Sequence, residues 1–186
     1  MIISMNVKPF IPNLLTSFRL ASAPFAAYCW VIGMDATAII LVIIGALSDG
    51  LDGYLARKWS CITRIGRILD PVADKVVLAS MLIGLAGRGD TYWIVFLGGC
   101  IMAREFLVSA MREDIAGKAN IPVSFIAKTK TTLQLASIVL HMVVVSFVPD
   151  YIFVMVIVWL ATTFITWYSA IDYMRIWYAE SSKGTP

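Results

Sequence analysis

Four aspartates lie within one short stretch of this chain, close to the ends of two apolar segments. They are Asp49, Asp52, Asp70 and Asp74, in the stretch SDGLDGYLARKWSCITRIGRILDPVADK that begins at Ser48. A carboxylate beside strongly apolar sequence costs several kcal/mol unless another group compensates its charge. The sequence therefore predicts a compensating partner for these side chains.

The spacing within each pair places both carboxylates on one helical face. At about 100° per residue, Asp49 and Asp52 lie roughly 60° apart, and Asp70 and Asp74 roughly 40° apart. If the two helices pack side by side, the carboxylates converge. Such a cluster either takes up protons, because like charges disfavour one another's ionisation, or binds cations. With no His or Cys ligand set nearby, oxygen ligation favours magnesium, manganese or calcium over zinc.

Two glycines and an arginine stand at fixed spacing from these aspartates. Gly53 follows Asp49 by one helical turn and Gly66 precedes Asp70 by one turn, so both helices lack a side chain where a ligand would approach. Arg57, one turn beyond Gly53, offers a bidentate fork to a phosphate. Divalent cations that bridge a diphosphate beside an arginine are typical of phosphoryl transfer.

The whole pattern matches a known signature. The sequence D-x-x-D-G-x-x-A-R, which runs from Asp49 to Arg57, and G-x-x-x-D-x-x-x-D, which begins at Gly66, resemble the motif of the CDP-alcohol phosphatidyltransferases at every fixed position. The resemblance implies two divalent cations, Mg²⁺ above all with Mn²⁺ as an alternative. It assigns as their ligands Asp49, Asp52, Asp70 and Asp74. It also assigns Asp74 as the general base.

An element before the motif extends the resemblance. The sequence P-N-x-x-T-x-x-R at positions 12–19 is similar to one that helps to line the nucleotide site in this family. Without the resemblance, the same residues would be interpreted as the N-capped start of a helix with an interfacial arginine, Arg19. The residues implied to bind CDP-diacylglycerol are Asn13, Thr16, Gly53, Ala56, Arg57, Thr63 and Gly66.

A second group of basic residues follows the fourth apolar segment. The stretches AREFLVSAMRE and SFIAKTKTTLQ resemble the phosphatidylglycerophosphate synthase branch of the family, although Ala127 stands where many relatives carry glycine. Arg104 and Arg112 lie about two turns and 80° apart, so they can border one cavity. Alternatively, they pair with the adjacent Glu105 and Glu113 at a helix end. In this family an acceptor substrate receives the transferred group. We expect the phosphate of that acceptor to be bound by Arg104, Arg112, Lys128 and Lys130.

The reaction that the resemblance implies is transfer of a phosphatidyl group from CDP-diacylglycerol to glycerol 3-phosphate, which gives phosphatidylglycerophosphate and CMP. Two alternatives stay open. A cardiolipin synthase of the same family would accept phosphatidylglycerol instead. A divalent-cation transporter would use the aspartates without a nucleotide, but it would leave the G-x-x-A-R spacing unexplained.

Composition indicates a membrane protein. The chain has 186 residues, of which 60% are hydrophobic, and its mean hydropathy is +0.83. This composition predicts an all-α, multi-pass membrane protein. We expect a single domain over residues 1–186, with an interfacial lead-in at 1–12 ended by Pro9 and Pro12, and a tail at 179–186. Pro71 is expected in the first turn of the third span. The six expected spans are Leu14–Gly33, Ala36–Trp59, Ile68–Ala86, Tyr92–Met111, Thr131–Val148 and Tyr151–Trp177, or five if one is re-entrant.

The distribution of charge predicts the orientation. With the loop from Arg57 to Arg67 in the cytoplasm, Arg88 is the only basic residue left outside, and the outer turns carry Asp35, Asp90 and Asp150. This asymmetry places both termini and the active site on the cytoplasmic side of a bacterial inner membrane. The net charge of +3 therefore reflects topology rather than nucleic-acid binding. The resemblance further implies a homodimer.

Overall fold

The chain is built from α-helices. The computed structural model describes residues 10–59, 63–89, 92–114 and 125–182, and no β-strand occurs within these ranges. The prediction of an all-α fold is thus confirmed. The helices are α1 (Phe10–Val31), α2 (Asp35–Lys58), α3 (Arg64–Arg88), α4 (Trp93–Asp114), α5 (Phe125–Phe147) and α6 (Ile152–Ser181), with a 3₁₀ turn at Pro149–Tyr151 before α6.

Contacts along the chain define two units, Met1–Gly89 and Asp90–Pro186. In the first unit, α1 packs against both α2 and α3. In the second unit, α6 packs against both α4 and α5. The single domain over residues 1–186 stays a prediction.

Apolar sequence in four helical segments is long enough to cross a membrane. These candidate spans are Asp35–Leu55, Trp93–Asp114, Lys130–Phe147 and Pro149–Glu180, found among the described residues. The chain is accordingly a membrane protein, but the count of six spans is not confirmed. Helices α1 and α3 carry polar or charged residues through their first halves, which lowers their hydropathy.

Two helices begin earlier than the sequence predicts. Helix α1 starts at Phe10, which places Pro12 in its first turn rather than in the lead-in. Helix α3 starts at Arg64, because the Thr63 hydroxyl accepts a hydrogen bond from the Gly66 N–H and caps the helix. Pro71 therefore lies inside α3, and its expected place in a first turn is wrong.

The ends of the chain are only partly described. Residues 1–9 of the expected lead-in and residues 183–186 of the expected tail lie outside the described ranges. Helix α6 continues through Ser181, so the first residues of the expected tail are helical.

A tight turn returns α2 alongside α1. Gly33 has a φ of 80°, a left-handed conformation that glycine adopts without steric cost. The Met34 N–H then donates to the Cys29 carbonyl at 2.9 Å, which satisfies one of the last carbonyls of α1. Helix α2 begins at Asp35, and its C-terminal half lies beside the N-terminal half of α1 where Thr16 contacts Asp52.

Candidate active site

One face of α1 contacts carboxylates from two other helices. The Thr16 Oγ1 atom lies 3.1 Å from Asp52 Oδ2 on α2 and 3.0 Å from Asp70 Oδ1 on α3. It also lies 3.1 Å from the Pro12 carbonyl oxygen. A hydroxyl has one proton to donate, so Thr16 can donate to only one of these acceptors at a time. Thr16 thus joins the two aspartate pairs at a single point.

Arg19, one turn further along α1, lies among the same aspartates. Its Nη1 forms ion pairs with Asp49 and with Asp74, the latter at 3.2 Å from Oδ1. Its Nη2 lies 3.8 Å from Asp52 Oδ2. Arg19 is 3% exposed and Asp52 is 5% exposed, so this positive charge compensates carboxylates that are partly withdrawn from solvent.

The outer part of the cluster is open. The side chains of Asp49 and Asp74 are 46% and 43% exposed, and Asp70 is also exposed. The Asp52 side chain lies beneath them, with 7% exposure. A ligand can therefore reach three of the four carboxylates directly.

The chemical type of the oxygen ligands in the cluster suits a hard divalent cation. Carboxylate and hydroxyl oxygens are the ligands that Mg²⁺ and Mn²⁺ prefer, and Thr16, Asp52 and Asp70 supply such oxygens at one place. Within the described ranges, however, no three His, Cys, Asp or Glu side chains are close enough together to hold a metal ion. Arg19 supplies the positive charge in this arrangement. Because the described carboxylates lie too far apart to form a metal site, cation binding requires them to draw closer together.

Three of the residues expected at the nucleotide site contact one another. The Thr63 hydroxyl donates to Asn13 Oδ1 at 2.9 Å and accepts from the Gly66 N–H at 2.9 Å. A Cβ atom at Gly66 would lie 3.0 Å from Asn13 Oδ1 and 3.1 Å from Thr63 Oγ1. The missing side chain of Gly66 thus makes room for these two polar groups.

The remaining residues expected at the nucleotide site lie on the last turns of α2. Gly53 is half-buried there, and the backbone of Ala56 and Arg57 is helical. The side chains of Ala56 and Arg57 lie outside the described part of the structure.

The second unit holds the residues expected to bind the acceptor's phosphate. Arg104 is fully buried and donates from Nη1 to Glu105 at 2.9 Å and from Nη2 to Ser169 at 2.6 Å. Lys130 donates to both oxygens of the same Glu105, at 2.6 and 2.7 Å. Two of the expected phosphate ligands therefore share an internal carboxylate.

The other two expected phosphate ligands are placed differently. Arg112 is exposed, and its guanidinium carbon lies 5.4 Å from the centre of the Tyr173 ring, a cation–π distance. The side chains of Ala127 and Lys128 fall outside the described residues.

Sequence reasoning left two residues out of the expected sites. Arg19 contacts three aspartates, although it fits an interfacial arginine equally well by sequence. Glu105 links Arg104 with Lys130, although it fits a solvent-exposed helix end. For Arg19, the available signal was its spacing of three residues from Thr16, which predicts a shared helical face.

Comparisons with known proteins agree with the motif. A family model described as CDP-alcohol phosphatidyltransferase matches residues 9–173. The chain is 39% identical to the CDP-diacylglycerol–glycerol-3-phosphate 3-phosphatidyltransferase of Pectobacterium atrosepticum, over 69% of this chain and 74% of that protein. Proteins of the same name from Yersinia enterocolitica and Sodalis glossinidius are 38% and 36% identical, with the same coverage.

The chain belongs to the CDP-alcohol phosphatidyltransferase family. It is accordingly an enzyme, a membrane-embedded transferase of phospholipid synthesis. Its aspartate motif is the part of the family signature that the structure gathers around Thr16 and Arg19.

Proposed function

We propose that this enzyme transfers the phosphatidyl group of CDP-diacylglycerol to sn-glycerol 3-phosphate. The observation that carries the proposal is the meeting of both aspartate pairs on one face of α1, in a chain whose similar proteins bear the name of this reaction. The acceptor's hydroxyl oxygen forms a bond with the phosphorus that carries diacylglycerol. The bond from that phosphorus to the oxygen shared with CMP breaks, and CMP leaves with that oxygen.

The aspartate cluster would hold the cations. The family generally depends on a divalent metal, and we assign two ions, Mg²⁺ or alternatively Mn²⁺, to Asp49, Asp52 and Asp70, with Asp74 completing the site. When bound, the ions would neutralise charge on the diphosphate and on the departing CMP. The hard oxygen donors and the open outer side of the cluster support this assignment.

Asp74 would accept the proton of the acceptor hydroxyl. Its 43% exposure puts it within reach of a substrate, whereas Asp52 lies deeper, at 7%. The contact with Arg19 involves Oδ1 of Asp74, so we assign the proton to Oδ2. Arg19 then fixes the direction of the carboxylate while the second oxygen serves as general base.

The nucleotide part of the donor would bind beside the start of α3. The hydrogen bonds among Asn13, Thr63 and Gly66 support a preorganised polar surface there. We assign the CDP group to this surface together with the rest of the motif: Thr16, Gly53, Ala56 and Arg57. The acceptor's phosphate is assigned to Arg104, Arg112, Lys128 and Lys130.

The enzyme would act at the cytoplasmic face of a bacterial inner membrane, as a homodimer and as one domain. The charge asymmetry of the turns supports this orientation. The dimer follows from the family resemblance, and the exposed apolar side chains of the helices offer surface for it.

The decisive experiment measures CMP release by the purified enzyme with Mg²⁺ and CDP-diacylglycerol. Glycerol 3-phosphate, phosphatidylglycerol, serine and inositol phosphate are offered in turn, and we expect release with glycerol 3-phosphate only. Asp74→Asn should reduce kcat by about 10²–10⁴-fold, the range typical of a lost general base. The matched control is Asp150→Asn, an exposed carboxylate of the 3₁₀ turn, which should leave kcat unchanged.

Other outcomes contradict specific parts of the proposal. Release with phosphatidylglycerol alone would make the enzyme a cardiolipin synthase. Transport of Mg²⁺ without any CMP release would point to a cation transporter. Full activity of Asp74→Asn would remove Asp74 from the role of general base.

A further inference from the structure

Glu105 is the centre of a partly buried polar network in the second unit. It accepts hydrogen bonds from Lys130 at 2.6 and 2.7 Å, from Arg104 at 2.9 Å and from Gln134 at 3.2 Å. Gln134 in turn donates to Thr166 on α6 at 3.3 Å. One carboxylate of α4 thus orders side chains that come from α4 and α5, and the network reaches α6.

Burial separates the roles of the two basic residues. The Arg104 side chain has no exposed surface, whereas the Lys130 side chain keeps 14% and that of Glu105 keeps 13%. Arg104 is also tied to Ser169 on its inner side. A soluble ligand therefore reaches Lys130 but not Arg104 in this arrangement.

Glu105 orients the ammonium of Lys130 without using all of its hydrogen-bond donors. An ammonium group has three protons to donate, and the two Glu105 oxygens account for two hydrogen bonds. No third acceptor for this ammonium occurs among the described residues, which leaves one donor for a ligand. Because Arg104 neutralises Glu105 from the inner side, the Glu105–Lys130 contact does not cancel the positive charge that a phosphate requires.

Helical register relates this pair to Arg112. Glu105 and Arg112 are seven residues apart on α4, which is about 20° around the axis and about 10 Å along it. Arg104 lies roughly 80° around the axis from Arg112. Lys130, bound to Glu105, is therefore held near the face of α4 that carries Arg112.

We propose that Glu105 and Arg104 are positioning residues that hold the Lys130 ammonium for the phosphate of the acceptor. This inference rests on the proposed function. Lys130 contacts the acceptor's phosphate, Glu105 fixes the direction of the ammonium, and Arg104 supports Glu105 from the buried side. The assignment moves Arg104 from a direct phosphate ligand to a residue that acts through Glu105.

The test compares Michaelis constants of Glu105→Gln, Lys130→Met and the double variant with those of the wild type. Glu105→Gln should raise the KM for glycerol 3-phosphate about tenfold, the effect of losing a charge-assisted hydrogen bond. The KM for CDP-diacylglycerol and kcat should change less than about twofold, because the proposed role of Lys130 is confined to the phosphate of the acceptor. The matched control, Glu113→Gln, changes an exposed glutamate of the same helix and should leave both constants unchanged.

Several outcomes bear on the positioning role. If Glu105 acts through Lys130, adding Glu105→Gln to Lys130→Met should leave the KM of the single Lys130 variant nearly unchanged. Multiplied effects in the double variant, an unchanged KM, or a loss of kcat alone would overturn the proposal. A lower KM would also overturn it, because it would mean that Glu105 competes with the phosphate.

A failure of the positioning role and a failure of the proposed function give different kinetic results. KM does not depend on the fraction of folded enzyme, so partial misfolding of a variant does not imitate the expected result. A wild-type enzyme that releases no CMP with glycerol 3-phosphate would contradict the proposed function. A wild type that does, combined with an unchanged KM in Glu105→Gln, would contradict the positioning role alone.

Discussion

Arg19 provides an internal positive charge at the place where cations are expected. Its guanidinium contacts Asp49 and Asp74 and lies 3.8 Å from Asp52. The Nε atom of Arg19 has no hydrogen-bond partner among the described residues. This part of the buried guanidinium is therefore stabilised only by the charge of the nearby carboxylates. In the absence of bound cations, this residue offsets repulsion between the carboxylates.

Replacing Arg19 should therefore destabilise the metal-free enzyme. We expect Arg19→Gln to lower the free energy of unfolding by roughly 2 kcal/mol in EDTA, below the range for fully buried pairs because Asp49 and Asp74 are partly exposed. Mg²⁺ should raise the melting temperature of this variant more than that of the wild type, since it supplies the missing charge. Thermal unfolding in detergent, followed by tryptophan fluorescence, measures both effects.

Arg175→Gln is the control for Arg19→Gln, because Arg175 is an exposed arginine of α6. It should unfold like the wild type with and without Mg²⁺. Equal melting temperatures of wild type and Arg19→Gln in EDTA would contradict the role of Arg19 as a counter-charge.

The sequence predicts the acidic residues of the site better than their partners. The spacing of Asp49, Asp52, Asp70 and Asp74 predicts shared faces, and the structure brings these carboxylates to Thr16 and Arg19. The inward direction of both Arg104 and Glu105 does not follow from spacing, because neighbouring residues lie about 100° apart around a helix. Tertiary packing against Ser169 and Lys130 decides it.

At the scale of the helices, α1 and α3 approach closely at Gly84. A Cβ atom at this buried glycine would lie 3.1 Å from both Cα and Cβ of Ala27 and 3.3 Å from its carbonyl oxygen. Small residues that allow backbones to approach closely are typical of helix contacts in membranes. The contact fixes the spacing of α1 and α3, which carry Thr16 and Asp70 to the site.

A larger residue at Gly84 should push these helices apart. We expect Gly84→Val to lower the free energy of unfolding by about 2 kcal/mol, a usual cost of overpacking. Enzymatic activity should fall as well, because α1 and α3 carry residues of the site. Gly99→Val on α4 is the control, because a Cβ at Gly99 meets no atom within 4 Å and the change in helix propensity is the same. Equal melting temperatures of the two variants would contradict a close-packed contact at Gly84.

The positions of the helices were more predictable than their ends. Each expected span overlaps one α-helix, because every one of these helices contains apolar sequence, although polar and charged residues interrupt it in α1 and α3. The start of α3 was missed because Thr63 and Gly66 form its cap within a polar stretch, where apolar periodicity gives no signal. Helix ends depend on single hydrogen bonds, which hydropathy does not report.

At the scale of the whole molecule, the distribution of charge is the strongest guide to orientation. Arg88, the one basic residue expected on the outer side, forms an ion pair with Asp35 at 3.2 Å between Nη2 and Oδ2. Its guanidinium carbon also lies 4.2 Å from the centre of the Trp30 ring. Because its charge is partly compensated locally, Arg88 opposes the expected topology less than its sequence position suggests.

This topology predicts which sites a membrane-impermeant maleimide reaches in intact cells. In a chain whose cysteines at 29, 61 and 100 are replaced by serine, Asp150→Cys should be labelled from outside. Glu113→Cys should be labelled only after the membrane is permeabilised. If both termini of the chain lie on the cytoplasmic side, the C-terminal end of α4 lies on that side as well. Both positions are exposed, so burial does not explain a difference between them. The reverse pattern would place the basic loops, and with them the aspartate cluster, on the outer side of the membrane.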